Sequence, residues 1–174
     1  NKLSLVHNGI IENYNELKSD LEKSYKFLSD TDSEVLLYLI YSFMQEGLNL
    51  FDSVRSSLEK VVGAYAVVVM GKNGQMIAAK KGSPLVIVLG VYEIMVASDV
   101  GAFNNRASVG VVYLKDNNIV EIKKDLQVMD MGKGIEIDYE IEKVYNNIVQ
   151  ITKGSFDSFM LKEIYEQPRT VEDC

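Results

Sequence analysis

The strongest indication of the fold is the stretch Leu5-Val6-His7-Asn8-Gly9-Ile10-Ile11-Glu12-Asn13-Tyr14. An apolar, β-favouring run stops at Asn8-Gly9, and a polar, helix-favouring segment follows. Asn-Gly is a strong turn signal, because both residues tolerate a positive φ angle and glycine has no Cβ to clash. We therefore expect a strand over residues 2–7, a turn at Asn8-Gly9 and a helix over residues 15–23. By itself the dipeptide specifies only an ordinary turn, so any functional role depends on its context.

The rest of the chain alternates between helical and extended patterns. Thr31 and Glu34 have the spacing of a capping box, which predicts a helix to about residue 46 that Gly47 ends. Helical apolar spacing predicts another helix over residues 51–61. Asn73-Gly74 predicts a two-residue type I′ hairpin, and a second hairpin is predicted around residues 116–118. Further strands are predicted over 64–70, 75–80, 85–89, 93–97, 108–114, 119–123 and 126–129, and further helices over 145–152 and 156–166. This order indicates an α+β fold in which helices cover antiparallel sheets.

The composition indicates one acidic domain with a core of ordinary size. The chain has 174 residues, of which 47% are hydrophobic, and a formal net charge of −7 at pH 7. This charge argues against a nucleic-acid partner, since phosphate binding needs clustered Lys and Arg. The longest apolar runs are too short to cross a bilayer, so we expect no membrane partner. A single Cys excludes an internal disulfide and is typical of the reducing cytoplasm. One Cys and one His also argue against a structural zinc site, because such sites usually draw four ligands from these residue types.

Three segments resemble the class II glutamine amidotransferases. The first is the opening stretch, where this family builds an oxyanion hole from an Asn-Gly pair. The second is Ser29-Asp30-Thr31-Asp32-Ser33-Glu34-Val35, which is similar to the family's Thr-Asp-Thr-Glu pattern. The third, over residues 159–168, is most similar to the glutaminase domains of the isomerising glutamine:fructose-6-phosphate aminotransferases. Between them, residues 63–66, 81–85 and 97–99 match in the expected order, so the resemblance covers nearly the whole chain.

The resemblance implies a fold, an activity and partners. The fold is the four-layer α-β-β-α sandwich of the N-terminal-nucleophile hydrolases, with antiparallel sheets and without its N-terminal strands. The implied domains are a glutaminase domain over residues 1–168 and, over 169–174, the start of a linker to a sugar isomerase domain. The implied substrate is L-glutamine, hydrolysed to glutamate and ammonia for glucosamine 6-phosphate synthesis. The implied partner is the sugar isomerase domain of the same protein, through which a homo-oligomer would form, and no metal, flavin or pyridoxal cofactor is implied.

Two other readings remain open. The chain could belong to another class II amidotransferase, such as the one that acts on phosphoribosyl pyrophosphate, although residues 162–168 argue against it. It could also be a non-catalytic relative that binds glutamine or a partner protein.

The resemblance also assigns the site residues. Asn8 would offer its side-chain N–H and Gly9 its backbone N–H to the oxyanion of the tetrahedral intermediate. Asp32 matches the carboxylate that binds the α-ammonium group of glutamine, although an acidic residue in the first turn also stabilises a helix. Asp30 is the second choice for this role. We expect His7, the single histidine, to be structural or to support the site, because the family's base is the α-amino group of its nucleophile.

The family nucleophile is a Cys at the mature N terminus, and an Arg-Trp-x-Thr-His segment binds the substrate carboxylate. This sequence begins at Asn1 and has its one cysteine at Cys174. The family mechanism needs the thiol and the α-amine on the same residue, so Cys174 cannot supply it. We therefore expect that the segment, truncated at both ends relative to the family, does not hydrolyse glutamine alone.

Overall fold

A computed structural model describes residues 3–103, 108–123, 125–142 and six positions beyond residue 143 (158, 160, 161, 164, 165 and 167). The chain divides into two compact units, Asn1–Lys143 and Val144–Cys174. The first unit contains, in chain order, β1 (Leu3–Ile11), α1 (Tyr14–Leu21), α2 (Asp32–Gln45), α3 (Leu50–Lys60), β2 (Gly63–Gly71), β3 (Met76–Lys81), β4 (Val86–Gly90), β5 (Ile94–Ala97), a 3-10 turn (Val100–Phe103), β6 (Ser108–Tyr113), β7 (Asn118–Ile122), β8 (Leu126–Asp130) and β9 (Ile135–Glu136). The three helices predicted in this unit are confirmed to within two residues at each end.

The strands of the first unit form two antiparallel sheets. Sheet A has the order β1-β2-β3-β7-β8-β9, and sheet B has the order β5-β4-β6. Within sheet A, β2 is buried on both faces, which explains why its sequence is almost continuously apolar rather than alternating. β1 lies at one end of the described strand order, with its free edge directed away from β2.

Two apolar clusters define the layers of this unit. One face of sheet A packs against α2 and α3, with a core of Ile11, Leu36, Ile40, Val54, Tyr65, Val67, Ile77 and Ile119 among others. The opposite face packs against sheet B, with a core of Ala66, Ala78, Leu85, Ile87, Val112, Leu114, Val120 and Val128 among others. The described layers are therefore helices, sheet A and sheet B, and the α+β class with antiparallel sheets is confirmed. The fourth layer stays a prediction, because the helices predicted for it fall beyond residue 143.

In the second unit, the described positions Met160, Leu161, Ile164, Tyr165 and Gln167 are helical. The hydroxyl of Ser158 accepts a hydrogen bond from the backbone N–H of Leu161 across 3.1 Å. The helix predicted over residues 145–152 lies outside the described residues. No described helix in either unit has the length and apolar character required to cross a membrane.

The predicted turn at Asn8-Gly9 is wrong. β1 continues through both residues to Ile11, and Asn8 lies opposite Ala66 in β2 while Gly9 lies opposite Tyr65. Gly9 does adopt a positive φ of 143°. The glycine therefore distorts the strand locally without reversing it, because the neighbouring strand continues to pair on both sides.

The hairpin at Asn73-Gly74 is confirmed, but its turn type is not. Gly74 has a φ of 81°, whereas Asn73 does not have the positive φ that a type I′ turn requires. Three residues separate Gly71 from Gln75, which are joined by a backbone hydrogen bond of 2.9 Å. The loop is thus one residue longer than predicted.

The second predicted hairpin is wrong. β6 pairs with β4 in sheet B, whereas β7 pairs with β3 and β8 in sheet A, so the loop between them crosses from one sheet to the other. Asp116 holds this loop on sheet A, since its carboxylate accepts a hydrogen bond from the backbone N–H of Gly82 (3.1 Å) and lies 3.0 Å from Lys80 Nζ. Adjacent strands with a short polar connection resemble a hairpin in sequence even when each joins a different sheet.

Candidate active site

Asn8 projects from the face of sheet A that packs against sheet B, but β1 lies at the edge of that face, where sheet B does not cover it. Its neighbours on that face, Val6 and Ile10, are 71% and 69% exposed. Alternation along the strand places Asn8 between them. The side-chain nitrogen of Asn8 donates a hydrogen bond to Ser98 Oγ at 3.2 Å, just after β5 ends. The Asn8 amide is therefore accessible and is held in place from sheet B.

Gly9 permits an unusually close approach between β1 and β2. A Cβ atom at this position would overlap the carbonyl oxygen of Ala64 and lie 2.8 Å from Tyr65 Cα. Its φ of 143° lies in a region that residues with side chains rarely adopt. Both observations require glycine here.

Asp32 begins α2 and is bound directly to β1. Its Oδ2 atom accepts a hydrogen bond from the backbone N–H of Ile11 at 3.0 Å. Its Oδ1 atom lies 3.4 Å from the hydroxyl of Ser33, which can donate to it, and 3.7 Å from Nδ1 of His7. The side chain keeps 24% of its surface exposed. Asp32 is thus fixed on the strand that carries Asn8 and Gly9, and part of its carboxylate faces solvent.

The start of α2 is formed by two different sets of contacts rather than by the reciprocal capping box that the sequence predicts. The Thr31 hydroxyl accepts a hydrogen bond from the backbone N–H of Glu34, as predicted. The Glu34 carboxylate instead accepts from the backbone N–H groups of Leu28 (2.9 Å) and Ser29 (2.7 Å). A further hydrogen bond from the Ser29 hydroxyl is the main reason that the pKa of Glu34 is lowered. These contacts bring the preceding loop back onto the helix start that positions Asp32.

Asp30, the second choice for the substrate carboxylate, has a different environment. Its carboxylate lies 2.9 Å from Lys18 Nζ and its side chain is fully exposed. The hydrogen bond from Lys18 is the main reason that the pKa of Asp30 is lowered. Asp30 therefore belongs to a surface ion pair and, unlike Asp32, has no described contact with β1.

His7 lies on the opposite face of β1 from Asn8, toward α2. The ring is buried, with 2% of its side-chain surface exposed, and its Nδ1 atom lies 3.1 Å from Ser33 Oγ. Burial lowers the pKa of His7, and the nearby charge of Asp32 opposes this shift only in part. The expectation of a supporting position fits this geometry. Sequence reasoning did not identify Ser33, because a serine after a helix N-cap carries no distinctive signal.

No three His, Cys, Asp or Glu side chains among the described residues are close enough together to hold a metal ion.

Comparison with known proteins places the chain in a family. Residues 1–105 match the model of a glutamine amidotransferase domain. The chain is 43% identical to a glutamine–fructose-6-phosphate aminotransferase [isomerizing] from Bacteroides thetaiotaomicron and 41% identical to one from Methanothermobacter thermautotrophicus. Each match covers 99% of this chain and 29% of the relative. The chain thus spans less than a third of the length of these curated relatives.

A solved structure shows the same fold. The glutamine phosphoribosylpyrophosphate amidotransferase of B. subtilis, complexed with ADP and GMP, superimposes with a TM-score of 0.64 at 28% identity, covering 74% of this chain and 29% of that one. The sequence match and the shared fold agree. The chain belongs to the glutamine amidotransferase domain family.

Proposed function

We propose that this chain is the glutaminase part of an isomerising glutamine:fructose-6-phosphate aminotransferase. That enzyme would hydrolyse glutamine to glutamate and ammonia, and the ammonia would be used to convert fructose 6-phosphate into glucosamine 6-phosphate. The names of the relatives that match nearly the whole chain support this proposal. Residues 1–168 would form the glutaminase domain, and 169–174 would begin the linker to a sugar isomerase domain.

The observation that carries the proposal is the arrangement of three groups along β1. Asn8 and Gly9 lie within this strand, and two residues later the backbone N–H of Ile11 binds Asp32. A single strand therefore sets the spacing between the proposed oxyanion donors and the proposed ammonium-binding carboxylate. Such preorganisation is what catalysis of an acyl transfer requires.

Asn8 and Gly9 would stabilise the tetrahedral intermediate. A nucleophile, which the family resemblance implies is an N-terminal Cys, adds to the side-chain carbonyl of glutamine and places a negative charge on its oxygen. The Asn8 side-chain N–H and the Gly9 backbone N–H would donate to this oxygen. The backbone N–H of Glu12 donates to Val62, which precedes β2, so the N–H of Ile11 points to the opposite edge of β1, where it binds Asp32. N–H groups two residues apart in a strand point to the same edge. We therefore expect the N–H of Gly9 at that free edge.

The rest of the reaction releases ammonia and glutamate. The α-amine of the nucleophile, which the family resemblance implies as the base, would take the proton of the thiol and pass it to the amide nitrogen. Collapse of the intermediate then expels this nitrogen as ammonia and leaves a thioester acyl-enzyme. Water then adds to the acyl group and releases glutamate, again through an oxyanion that Asn8 and Gly9 would bind. Throughout, Asp32 would hold the α-ammonium group by charge attraction across its exposed edge.

The ammonia acceptor distinguishes the two candidate enzymes. The structural relative acts, by its name, on phosphoribosyl pyrophosphate, and it shares 28% identity with this chain. The aminotransferase relatives reach 43% identity over almost the whole length of this chain, which favours fructose 6-phosphate as the acceptor.

We also propose a cytoplasmic location, since a single Cys suits a reducing compartment. We further propose a homo-oligomer that forms through the sugar isomerase domain.

The test uses the protein as it is encoded, including any residues that precede position 1 or follow position 174. Glutamate release from glutamine is measured with fructose 6-phosphate or phosphoribosyl pyrophosphate as the acceptor. We expect Asn8→Ala to lower kcat by about 100- to 1,000-fold. We expect Asp32→Ala to raise KM for glutamine, whereas the matched control Asp30→Ala leaves it unchanged.

Three results would contradict the proposal. They are an absence of glutamine hydrolysis in the encoded protein, an equal effect of the Asp30 and Asp32 variants, and product formation with phosphoribosyl pyrophosphate alone. The third result would favour the other amidotransferase.

A further inference from the structure

We infer that His7 is a positioning residue for Asp32, acting through the hydroxyl of Ser33. The Nδ1–H group of His7 donates to Ser33 Oγ, and the Ser33 hydroxyl then donates to Asp32 Oδ1. This inference rests on the proposed function, because Asp32 matters to glutamine only if it binds the α-ammonium group.

The geometry places the three side chains in one chain of hydrogen bonds. His7 Nδ1 lies 3.1 Å from Ser33 Oγ, and Ser33 Oγ lies 3.4 Å from Asp32 Oδ1. The direct distance from His7 Nδ1 to Asp32 Oδ1 is longer, at 3.7 Å. The serine therefore makes a closer link from the ring to the carboxylate than a direct ion pair does.

The Asp32 carboxylate determines which tautomer of His7 is present. Burial lowers the pKa of His7, so at pH 7 the ring is neutral and carries a single N–H. The Nε2 atom is buried and has no hydrogen-bond partner among the described residues, so it is unsatisfied in either tautomer. The Nδ1 atom lies 3.7 Å from Asp32 Oδ1, and the negative charge of that oxygen favours a proton on Nδ1. The proton therefore resides on Nδ1, where Ser33 accepts it.

The tautomer in turn determines the direction of the Ser33 hydroxyl. If Nδ1 lacked a proton, Ser33 would donate to the ring, and its hydrogen would not be available to Asp32. With the proton on Nδ1, Ser33 accepts from His7 and its own hydrogen can point to Asp32 Oδ1. A buried imidazole can set the direction of the Ser33 hydroxyl in this way, whereas an apolar side chain of the same size cannot.

Together with β1, the hydrogen bonds from His7 through Ser33 hold both oxygens of Asp32. Oδ2 is fixed by the backbone N–H of Ile11 at 3.0 Å, and Oδ1 by Ser33. Each carboxylate oxygen can accept more than one hydrogen bond, so both keep capacity for an ammonium group. His7 thus fixes the orientation of the carboxylate without touching the substrate.

Two substitutions separate this role from simple packing. In His7→Asn, the new amide nitrogen can occupy the place of Nδ1, whereas in His7→Gln it lies nearer to that of Nε2. We expect His7→Asn to keep KM for glutamine within about twofold of the wild-type value. We expect His7→Gln to raise KM by about 3- to 10-fold, the equivalent of one hydrogen bond, with kcat changed less than twofold.

A substrate analogue locates the effect on Asp32. 4-Carbamoylbutanoate is glutamine without its α-ammonium group, so its binding does not depend on Asp32. We expect its inhibition constant to be the same in the wild type and in His7→Gln. We also expect Ser33→Ala to reproduce the KM increase of His7→Gln, and the double variant to show no further increase.

The assay uses the encoded protein, and melting curves of each variant show whether it is folded. Equal KM values for the Asn and Gln variants, or weaker binding of the analogue in His7→Gln, would show that His7 only fills space and would overturn the inference. If a His7 variant fails to fold, an unchanged KM in Ser33→Ala overturns the inference and a raised one supports it. If Asp32→Ala leaves KM for glutamine unchanged, the proposed function itself fails. If Asp32→Ala raises this KM and His7→Gln leaves it unchanged, only the inference about His7 fails.

Discussion

The side-chain nitrogen of Asn8 donates a 3.2 Å hydrogen bond to the hydroxyl oxygen of Ser98, which lies 90 positions later in the chain. The bond connects the two sheets, since Asn8 lies in β1 of sheet A and Ser98 directly follows β5 of sheet B. This bond uses one of the two amide hydrogens of Asn8. The other hydrogen remains for a substrate oxygen, so Ser98 orients the donor that we propose for the oxyanion.

Removing the Ser98 hydroxyl tests this orientation. We expect Ser98→Ala to lower kcat for glutamine hydrolysis by about 3- to 10-fold, because the exposed Asn8 amide would lose one fixed hydrogen bond. Ser4→Ala is the matched control, since Ser4 is an exposed serine in β1, the strand that carries Asn8. Steady-state kinetics of both variants provide the measurement. Equal kcat values for the two variants would show that Ser98 does not orient the amide.

Replacing Gly9 by alanine combines a steric clash with an unfavourable backbone angle. The new Cβ would overlap Ala64 and approach Tyr65 Cα to 2.8 Å, at a φ of 143°. We expect a loss of about 2–5 kcal/mol in the free energy of unfolding. Gly47→Ala separates the two causes, because Gly47 also has a positive φ, of 100°, but no atom lies within 4 Å of its added Cβ. There we expect only about 1–2 kcal/mol.

Urea unfolding of the two glycine variants measures this difference. A loss at Gly9 no larger than that at Gly47 would mean that β2 moves aside without cost. In that case the close approach of the strands would not explain why glycine is needed at this position.

Local signals predicted the helices well. The Thr31 cap and the apolar spacing behind it correctly predicted α2, because both depend on residues within one or two turns. The predicted strands also exist, since burial on one or both faces leaves a clear apolar pattern. One strand pairing was predicted wrongly. The sequence around residues 116–118 contains a turn signal, but it does not show that β6 and β7 join different sheets.

The candidate site shows the same limit. The resemblance pointed to Asn8, Gly9 and Asp32, but the turn expected at Asn8-Gly9 is a strand whose glycine meets a neighbouring backbone. An Asn-Gly pair indicates a positive φ, and it does not show whether a turn or a close approach requires that angle. The link from His7 through Ser33 to Asp32 depends on how β1 meets α2. Residues 26 positions apart, as His7 and Ser33 are, gave no signal in the sequence.

Asp116 tests how the loop between the sheets is held. Its carboxylate binds both the backbone N–H of Gly82 and the side chain of Lys80. We expect Asp116→Ala to lower the free energy of unfolding by about 1–2 kcal/mol, because the Gly82 N–H loses its acceptor. Asp116→Asn keeps an oxygen for Gly82 and should lose less. As a control, Asp20→Ala removes only an exposed ion pair with Lys23 and should cost less than about 0.5 kcal/mol. Equal losses for Asp116→Ala and Asp20→Ala would show that the backbone contact does not stabilise the loop.

His7 should make the stability of the protein depend on pH. Burial lowers its pKa in the folded state below the ordinary value of about 6.5, so the unfolded chain binds a proton more readily at mildly acidic pH. The stability contributed by neutral His7 is therefore fully present above about pH 6.5 and is lost as the pH falls through the folded-state pKa. We expect the free energy of unfolding to decrease more between pH 7.5 and 5.5 in the wild type than in His7→Asn, which cannot titrate there. Urea unfolding at the two pH values measures the difference. An equal or larger decrease in His7→Asn would show that the ring can be protonated without cost, and that the hydrogen bond from Nδ1 does not require a neutral imidazole.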